Sequence, residues 1–316
     1  VIASIVEDGL EQKAFPGCQV LVAKDGMIIY DKSFGYFDYD KKQAVDENSV
    51  YDLASSSKAA GTLLAVMKAY DDKKFTLNNK ISDFIPELKD SDKKNLAVKD
   101  LLYHQSGLTP TINFYLNAID KDSYKGSLYS NAKNQTHPVR FDARTYVRND
   151  FSFLPNLVSA RKKPGFTTEI ARNMYLHDSF KDTIIQEIKD SRLGVRGKYK
   201  YSCINFILLK MMVEKQMRQP MERLLHGVFF SNPLHILDTM QIVPTENDHF
   251  IRRQLLRGYV HDEAAAFQGG VSGNAGLFSN ANDLAKVLQL YLNQGSYGGE
   301  QYLSKETCRL FTQSKS

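Results

Sequence analysis

The chain has 316 residues, 42% of them hydrophobic and 11% aromatic, which is ample for a globular core in one large domain or two. Its net charge of +5 arises from 41 basic and 36 acidic residues spread along the sequence, and this spread argues against nucleic-acid binding, which needs a concentrated basic face. No run of about eighteen apolar residues could span a bilayer, and the first residues lack the regions of a signal peptide. The three cysteines, Cys18, Cys203 and Cys308, are too widely spaced to predict a zinc site or a disulfide framework.

The beginning of the chain predicts an α/β opening. Apolar residues at helical spacing indicate a helix within residues 1–14, which the Pro16-Gly17 pair would end. Two apolar runs, residues 18–23 and 27–30, then flank Asp25-Gly26, and such a pair between apolar runs is a strong hairpin signal. An extended segment leads from this hairpin into an apolar helix that begins near Ser55.

Ser55 and Lys58 stand three residues apart at the start of that helix, so they would share one of its faces. A serine at a helix N-terminus lies near unpaired N–H groups, which suits a nucleophile whose attack creates an oxyanion. The same spacing also occurs from Ser91, Ser130 and Ser159, but in polar, lysine-rich stretches. Context therefore favours Ser55, although on spacing alone a structural helix cap is an equally good interpretation.

The middle of the chain is less regular. Residues 98–104 predict a short helix ended by Gly107, and His104 is interpreted as a structural histidine that packs a turn, because no second ligand or base lies at a suitable spacing. From residue 109 to about 198 the periodicity weakens, with one helix predicted over residues 183–190. A stretch of this kind is typical of a lid or small subdomain over a site.

Tyr201 precedes the next strongly apolar helix, and a further helix is predicted near Pro220. A glycine-dense stretch, residues 269–280, then runs into a helix over residues 283–292. The stretch has no Lys-Ser/Thr after it, as a phosphate-binding loop would require. Close backbone packing beside a cleft is therefore the better interpretation of these glycines.

Carboxylate chemistry has less support. An acid/base cluster at His261, Asp262 and Glu263 is conceivable, but adjacent residues point in different directions. A glycosidase would need a pair of carboxylates flanking the bond to be broken, and no such pair is evident.

Four segments, in chain order, resemble the serine β-lactamase-like family, which includes penicillin-binding proteins, class C β-lactamases and related esterases. They are residues 53–58 (Leu-Ala-Ser-Ser-Ser-Lys), 100–108 (Asp-Leu-Leu-Tyr-His-Gln-Ser-Gly-Leu), 201–209 (Tyr-Ser-Cys-Ile-Asn-Phe-Ile-Leu-Leu) and 269–278 (Gly-Gly-Val-Ser-Gly-Asn-Ala-Gly-Leu-Phe). The likeness covers nearly the whole chain. It is strongest to the β-lactamase-like module that follows family 3 glycoside hydrolase (β-N-acetylglucosaminidase-like) domains in Bacteroidetes.

The resemblance implies an α+β fold of the β-lactamase/transpeptidase type, with an antiparallel sheet flanked by helices plus a mostly helical subdomain. Residues 1–316 would form one such module, and residues 109–198 would be an inserted lid or subdomain.

The resemblance also implies roles for individual residues. Ser55 would be the acylated nucleophile, Lys58 would help to deprotonate it, and Tyr201 would carry a proton to the leaving group. The Ser55 backbone N–H would be one oxyanion donor. The residues expected to contact substrate are Cys203, Asn274 and Gly276.

Two departures from the family pattern bear on activity. Cys203 stands where the family usually has Asn or Asp, and a thiol is a poor hydrogen-bond partner. The family's third motif, Lys/His-Thr/Ser-Gly on a strand, occurs nowhere in this sequence. The strand that carries this motif and the last strands of the sheet are therefore expected to be missing from residues 1–316.

The leading functional hypothesis is a serine acyl-transfer hydrolase that acts through a Ser55 acyl-enzyme on an ester or amide, with a small-molecule, peptide or glycopeptide substrate derived from the cell wall. The alternative is a non-catalytic accessory or binding module of the same fold, covalently linked to a glycoside hydrolase domain. Neither hypothesis requires a metal or a cofactor. The resemblance implies a periplasmic or cell-envelope location.

Overall fold

The computed structural model describes residues 1–229 and 241–313. Within these ranges the helices are α1 (Ile2–Glu11), α2 (Leu63–Asp71), α3 (Ile81–Phe84), α4 (Val98–Leu102), α5 (Phe180–Asp190), α6 (Cys203–Met217), α7 (Met221–Val228), α8 (Glu263–Ala266), α9 (Ala281–Leu292) and α10 (Lys305–Thr312). The strands are β1 (Gly17–Lys24), β2 (Met27–Gly35), β3 (Tyr51–Asp52), β4 (Tyr129–Ser130), β5 (Val139–Arg140), β6 (Tyr146–Val147), β7 (Val158–Ser159), β8 (Thr168–Ala171), β9 (Met174–Leu176), β10 (Glu246–Asp248), β11 (Gln254–Leu256), β12 (Phe278–Ser279), β13 (Ser296–Tyr297) and β14 (Glu300–Gln301). All pairings between these strands are antiparallel, which confirms the α+β class.

The predicted hairpin is confirmed. β1 and β2 pair from Gly17 opposite Gly35 to Lys24 opposite Met27. Asp25 and Gly26, the two residues of the turn, have φ of 52° and 77°. Two successive positive φ angles give the turn a twist that matches the strands, and Asp-Gly tolerates them. The helix predicted at the N-terminus is also present, as α1.

A layer of helices forms the main apolar core. α2 packs against α6 and α7, and α6 also contacts α3 and α4. Met67 of α2, Leu101 of α4 and Leu208 of α6 are fully buried at these contacts. Because α6 contacts α2, α3, α4 and α7, it fixes the position of the segment that leads into it, which contains Tyr201.

Residues 109–198 contain more sheet than their weak periodicity predicted. Two three-stranded sheets, ordered β4-β6-β5 and β7-β9-β8, lie in this part of the chain, and the predicted helix is present as α5. The strands of these sheets have two to four residues each. Runs this short carry too little alternation to be recognised in a sequence. That these residues act as a lid or subdomain stays a prediction.

The helix predicted near Pro220 is confirmed as α7, with Pro220 as its N-cap. The prediction that Gly107 ends the preceding short helix was wrong. α4 already ends at Leu102, and His104, with φ of 53°, comes before Gly107, which has φ of 80°. The His104 conformation is uncommon for a residue with a side chain, and such residues merit inspection for a structural reason.

Within residues 1–229 and 241–313, no helix is long and apolar enough to cross a membrane.

A buried ion pair stabilises the turn between β10 and β11. Asp248 and Arg252 are 5% and 4% exposed, and Arg252 Nε donates to Asp248 Oδ2 at 2.9 Å. The backbone N–H groups of Phe250 and Ile251 donate to Asp248 Oδ1 at 2.8 and 3.0 Å. Burial acts to raise the pKa of Asp248, but Arg252 and the backbone donors outweigh it and hold this pKa below its ordinary value of 3.8.

Asp248→Asn is expected to lower the free energy of unfolding by about 3 kcal/mol at pH 7, because Arg252 would lose its buried counter-charge. A native carboxyl with a lowered pKa stabilises the fold above its unfolded pKa, and this contribution is lost as pH falls through the folded pKa. Urea unfolding at pH 7 and pH 3 measures both effects. Asp40→Asn, which removes the exposed pair with Lys42, is the control and should change stability by less than about 1 kcal/mol. Equal effects of the two variants at pH 7 would contradict this account.

Candidate active site

The segment that carries Ser55 is a strained turn rather than the start of a regular α-helix. β3 leads into a 3₁₀ turn over Ala54–Ser56, and Ala54 has φ of 44°, in the left-handed region. Asp52 Oδ1 accepts the Ala54 N–H at 2.8 Å and holds the turn in place. Alanine adopts this conformation only when its surroundings impose it, and such strain is common at functional sites. The turn leaves Ser55 exposed.

Lys58 begins a π-helical turn over Lys58–Thr62, before α2 starts at Leu63. The Lys58 side chain is buried, and its Nζ lies 2.9 Å from Ser55 Oγ. A second hydrogen bond of 2.9 Å joins Lys58 Nζ to the carbonyl oxygen of Asn274. Single π turns are rare and often mark functional sites. The predicted shared face of Ser55 and Lys58 is therefore achieved by 3₁₀ and π geometry instead of α-helical geometry.

Tyr201 brings a third functional group to the same oxygen. Its Oη donates to Ser55 Oγ at 2.9 Å, and its ring centroid lies 5.0 Å from Lys58 Nζ. The next residue, Ser202, is the N-cap of α6, and its hydroxyl donates to the carbonyl oxygen of Thr109 at 2.6 Å. The three side chains predicted to start the reaction thus meet at one point, from two segments that are 146 residues apart in sequence.

The glycine-dense stretch forms the wall behind Lys58. Thr62 Oγ1 donates to the Gly273 carbonyl oxygen at 2.8 Å, and the Leu277 N–H donates to Ser57 Oγ at 3.0 Å. A Cβ at Gly273 would lie 1.8 Å from the carbonyl oxygen of Phe206, so only glycine allows α6 to approach this closely. The predicted close backbone packing is therefore confirmed for Gly273 and also for Gly276, where a Cβ would lie 1.9 Å from the Gly270 carbonyl oxygen, but not for Gly270, where a Cβ would meet nothing within 4 Å.

The residues expected to contact substrate occupy different environments. Asn274 is fully buried, and its side chain donates to Asp262 at 3.0 Å and accepts from Ser272 at 2.7 Å. Its carbonyl oxygen, rather than its side chain, reaches Lys58. Gly276, two residues after Asn274, has a φ of 115°. Cys203 is half-buried in the first turn of α6. Substrate contact by these residues stays a prediction.

His261 and Asp262 of the possible acid/base cluster make separate hydrogen bonds and do not bond to each other's side chains. His261 Nε2 pairs with Glu246 Oε2 at 2.6 Å, and this hydrogen bond raises the pKa of His261. Asp262 caps α8 and accepts from Asn274. The backbone N–H of His261 donates to Asp52 Oδ2 at 2.7 Å. These residues brace the Ser55 turn and the Lys58 acceptor from behind.

His104 packs against the segment that carries Tyr201, a contact that its local sequence did not indicate. Its Nδ1 lies 3.1 Å from the Ser202 backbone nitrogen and 2.9 Å from Asn205 Nδ2. The centroids of the His104 and Tyr201 rings are 4.7 Å apart. Its place in the segment 100–108, which carries part of the family resemblance, was the signal that could have linked it to Tyr201.

An apolar groove of about 680 Å³ runs along the other side of the Ser55 turn. Ser57, Gly61, Leu225, Leu277 and Leu290 are among its lining residues, whereas Ser55, Lys58 and Tyr201 are not. The groups that could perform chemistry therefore lie in the polar cluster and not in this groove. Among the residues that the structure describes, no group of three His, Cys, Asp or Glu side chains could hold a metal ion.

The fold is that of serine β-lactamases and penicillin-binding proteins, and Ser55, Lys58 and Tyr201 meet as the resemblance to this family implied. The Beta-lactamase family profile matches residues 2–315, so the chain belongs to this family. It is 30% identical over 336 residues to the Escherichia coli (strain K12) protein named "Putative D-alanyl-D-alanine carboxypeptidase", an alignment that covers 95% of this chain and 65% of that protein. It is 29% identical to an N-acetylmuramyl-L-alanine amidase of Bacillus subtilis (strain 168), over 94% of this chain and 64% of the amidase.

A solved structure confirms the fold. The octameric penicillin-binding protein homologue from Pyrococcus abyssi superposes with a TM-score of 0.64 at 17% identity, covering 97% of this chain and 58% of that one. The β-lactamase/transpeptidase-like fold predicted from the sequence is therefore confirmed. The chain spans a little under two thirds of the length of the curated relatives that it matches.

Proposed function

We propose that the protein is a serine acyl-transfer hydrolase in which Ser55 attacks an ester or amide carbonyl and carries the acyl group. The observation that carries this proposal is the position of Ser55 Oγ, 2.9 Å from both Lys58 Nζ and Tyr201 Oη. Each distance is short enough for direct proton transfer. One of the two partners must be unprotonated to take the serine proton, and the other can then deliver a proton to the leaving group.

The geometry of the Ser55 turn also supports a site that stabilises the oxyanion formed during attack. The Ser55 N–H lies in the first turn of a 3₁₀ helix, where the leading backbone N–H groups have no partner within the helix. A free backbone donor beside the nucleophile can stabilise the negative charge that develops on the attacked carbonyl oxygen. The strained φ of Ala54 fixes the direction of this N–H before substrate arrives.

The proposed substrates are peptides or glycopeptides derived from the bacterial cell wall. Two observations support this class: the relatives named above include a carboxypeptidase of D-alanyl-D-alanine type and a muramyl amidase, and Ser55 lies exposed on an open turn. A location in the periplasm or cell envelope follows from the same proposal.

The test is reaction of full-length protein containing residues 1–316 with a fluorescent penicillin and a fluorophosphonate, together with turnover of a D-alanyl-D-alanine peptide and its ester analogue. We expect covalent labelling by at least one probe and faster turnover of the ester, because its leaving group is better. Folded protein that neither labels nor turns over either compound would overturn the proposal.

The competing proposal is a non-catalytic module that supports a linked glycoside hydrolase. Cys203 favours it, since this departure falls in a motif that faces substrate in the family. Under this alternative, Ser55→Ala would leave the activity of the linked enzyme unchanged, whereas deletion of residues 1–316 would reduce it. A linked domain of this kind stays a prediction.

A further inference from the structure

His104 holds the main chain on both sides of Tyr201. Its carbonyl oxygen accepts the N–H of Lys200, the residue before Tyr201, at 2.8 Å. Its ring Nδ1 accepts the N–H of Ser202, the residue after Tyr201, at 3.1 Å. One residue therefore holds the Tyr199–Lys200 and Tyr201–Ser202 peptide groups, which lie on either side of the Tyr201 side chain.

The ring of His104 also contacts the side chain that it brackets. The His104 and Tyr201 centroids are 4.7 Å apart with an interplanar angle of 37°, and Phe206 lies 5.5 Å away at 33°. Tyr199 meets the same imidazole edge-on at 5.9 Å. Aromatic contacts at these distances stabilise a defined ring orientation. The φ of 53° at His104 allows its carbonyl and its ring to reach the same segment.

The hydrogen bonds determine the protonation state that this arrangement requires. A backbone N–H can only donate, so Nδ1 must present its lone pair to Ser202. The Asn205 amide is oriented consistently, because its Oδ1 accepts from Ser106 Oγ at 2.6 Å and its Nδ2 is left to face His104. The imidazole is therefore neutral and carries its proton on Nε2.

We propose that His104 is the positioning residue of Tyr201: its neutral imidazole keeps the phenol against Ser55, and a proton on Nδ1 breaks the contact with Ser202 and moves the phenol away. This inference rests on the proposed function and deepens it, because it adds an acid-sensitive device to the same site. Protonation forms an N–H bond at Nδ1 with a proton from solvent, and the Ser202 N–H then loses its hydrogen-bond acceptor.

The surroundings favour the neutral form. Burial lowers the pKa of His104 below its ordinary value of 6.5, and the nearby charge of Lys58 lowers it further. The other titratable groups that the structure places against the ring are the phenols of Tyr199 and Tyr201. A histidine with a lowered pKa contributes its stabilisation above pH 6.5, and that contribution is lost as pH falls through the folded pKa.

The test compares His104→Phe, which keeps a ring but removes the acceptor, with His104→Asn, which keeps an acceptor and tolerates a positive φ. We expect His104→Phe to lower the second-order rate constant for Ser55 labelling by about tenfold or more per folded molecule, since small displacements of catalytic groups have effects of this size. His104→Asn should recover part of the loss. The matched control is His137→Phe, because His137 is a buried histidine with both ring nitrogens hydrogen-bonded elsewhere.

Two further measurements separate positioning from general stability. The labelling rate of the wild-type protein should fall at the pH where ¹⁵N NMR shows His104 taking up a proton, and His104→Phe should lack this step. Labelling of His104→Phe at the wild-type rate, or a protonated Nδ1 at neutral pH, would overturn the inference.

A further NMR measurement does not depend on whether the protein is active. The ring resonances of Tyr201 should shift as His104 titrates, and their failure to shift would overturn the inference even if the protein is active. If no probe ever labels the wild-type protein while these resonances do shift, the proposed function fails and the contact between His104 and Tyr201 stands.

Discussion

Replacing Ser55 by alanine is expected to abolish covalent labelling and to lower turnover by about 10⁴-fold or more, because the acyl-enzyme can then no longer form. The substitution should affect the reaction and not the stability of the fold. Ser55 is exposed, and its hydroxyl contacts only the catalytic pair among the described residues, so the fold loses little when it is removed.

Ser56→Ala is the matched control for this prediction. Ser56 is the exposed neighbour in the same 3₁₀ turn, and its substitution should leave labelling and thermal stability close to those of the wild-type protein. Equal labelling of the Ser55→Ala and wild-type proteins would remove Ser55 as the nucleophile.

Lys58→Met is expected to lower the labelling rate by about 10² to 10⁴-fold, the range in which a positioned acid or base contributes. Methionine has nearly the same length and fills the same buried space. It cannot take the Ser55 proton, however, and it leaves the Asn274 carbonyl oxygen without its donor. The measurement is the second-order labelling rate constant, corrected for the folded fraction.

Lys93→Met separates this effect from the general effect of removing a buried lysine. Lys93 is 1% exposed, and its Nζ donates to the carbonyl oxygens of Lys189 and Ser191 at the end of α5. This variant should lose stability while its folded molecules are labelled at the wild-type rate. A comparable loss of labelling in both variants would mean that Lys58 has a structural role only.

Local sequence patterns were sufficient where the relevant contacts are local. Asp25-Gly26 specifies a turn with two positive φ angles, and the hairpin follows from it. The apolar stripe after Tyr201 likewise predicts α6. The order of Ser55, Lys58 and Tyr201 along the chain, together with the family resemblance, predicted the cluster that the structure brings together.

The remaining features depend on contacts between distant parts of the chain. Lys58 donates a hydrogen bond to the carbonyl oxygen of a residue 216 positions away. Every residue has a backbone carbonyl, so the sequence does not reveal which residue accepts this bond. His104 meets Ser202 and Asn205 across 98 and 101 residues. Its left-handed conformation, which makes both contacts possible, is rare enough for histidine that local propensity favours another assignment.

The central claim is that the acyl group is carried on Ser55. Its most direct test is to quench the reaction of an ester substrate or penicillin in acid and to locate the added mass by fragmenting the peptide that contains Ser55, Ser56 and Ser57. We expect the acyl mass on Ser55 in the wild-type protein and on none of the three residues in Lys58→Met quenched at the same early time. An acyl group on Ser56 or Ser57, or substrate turnover without any adduct on this peptide, would contradict it.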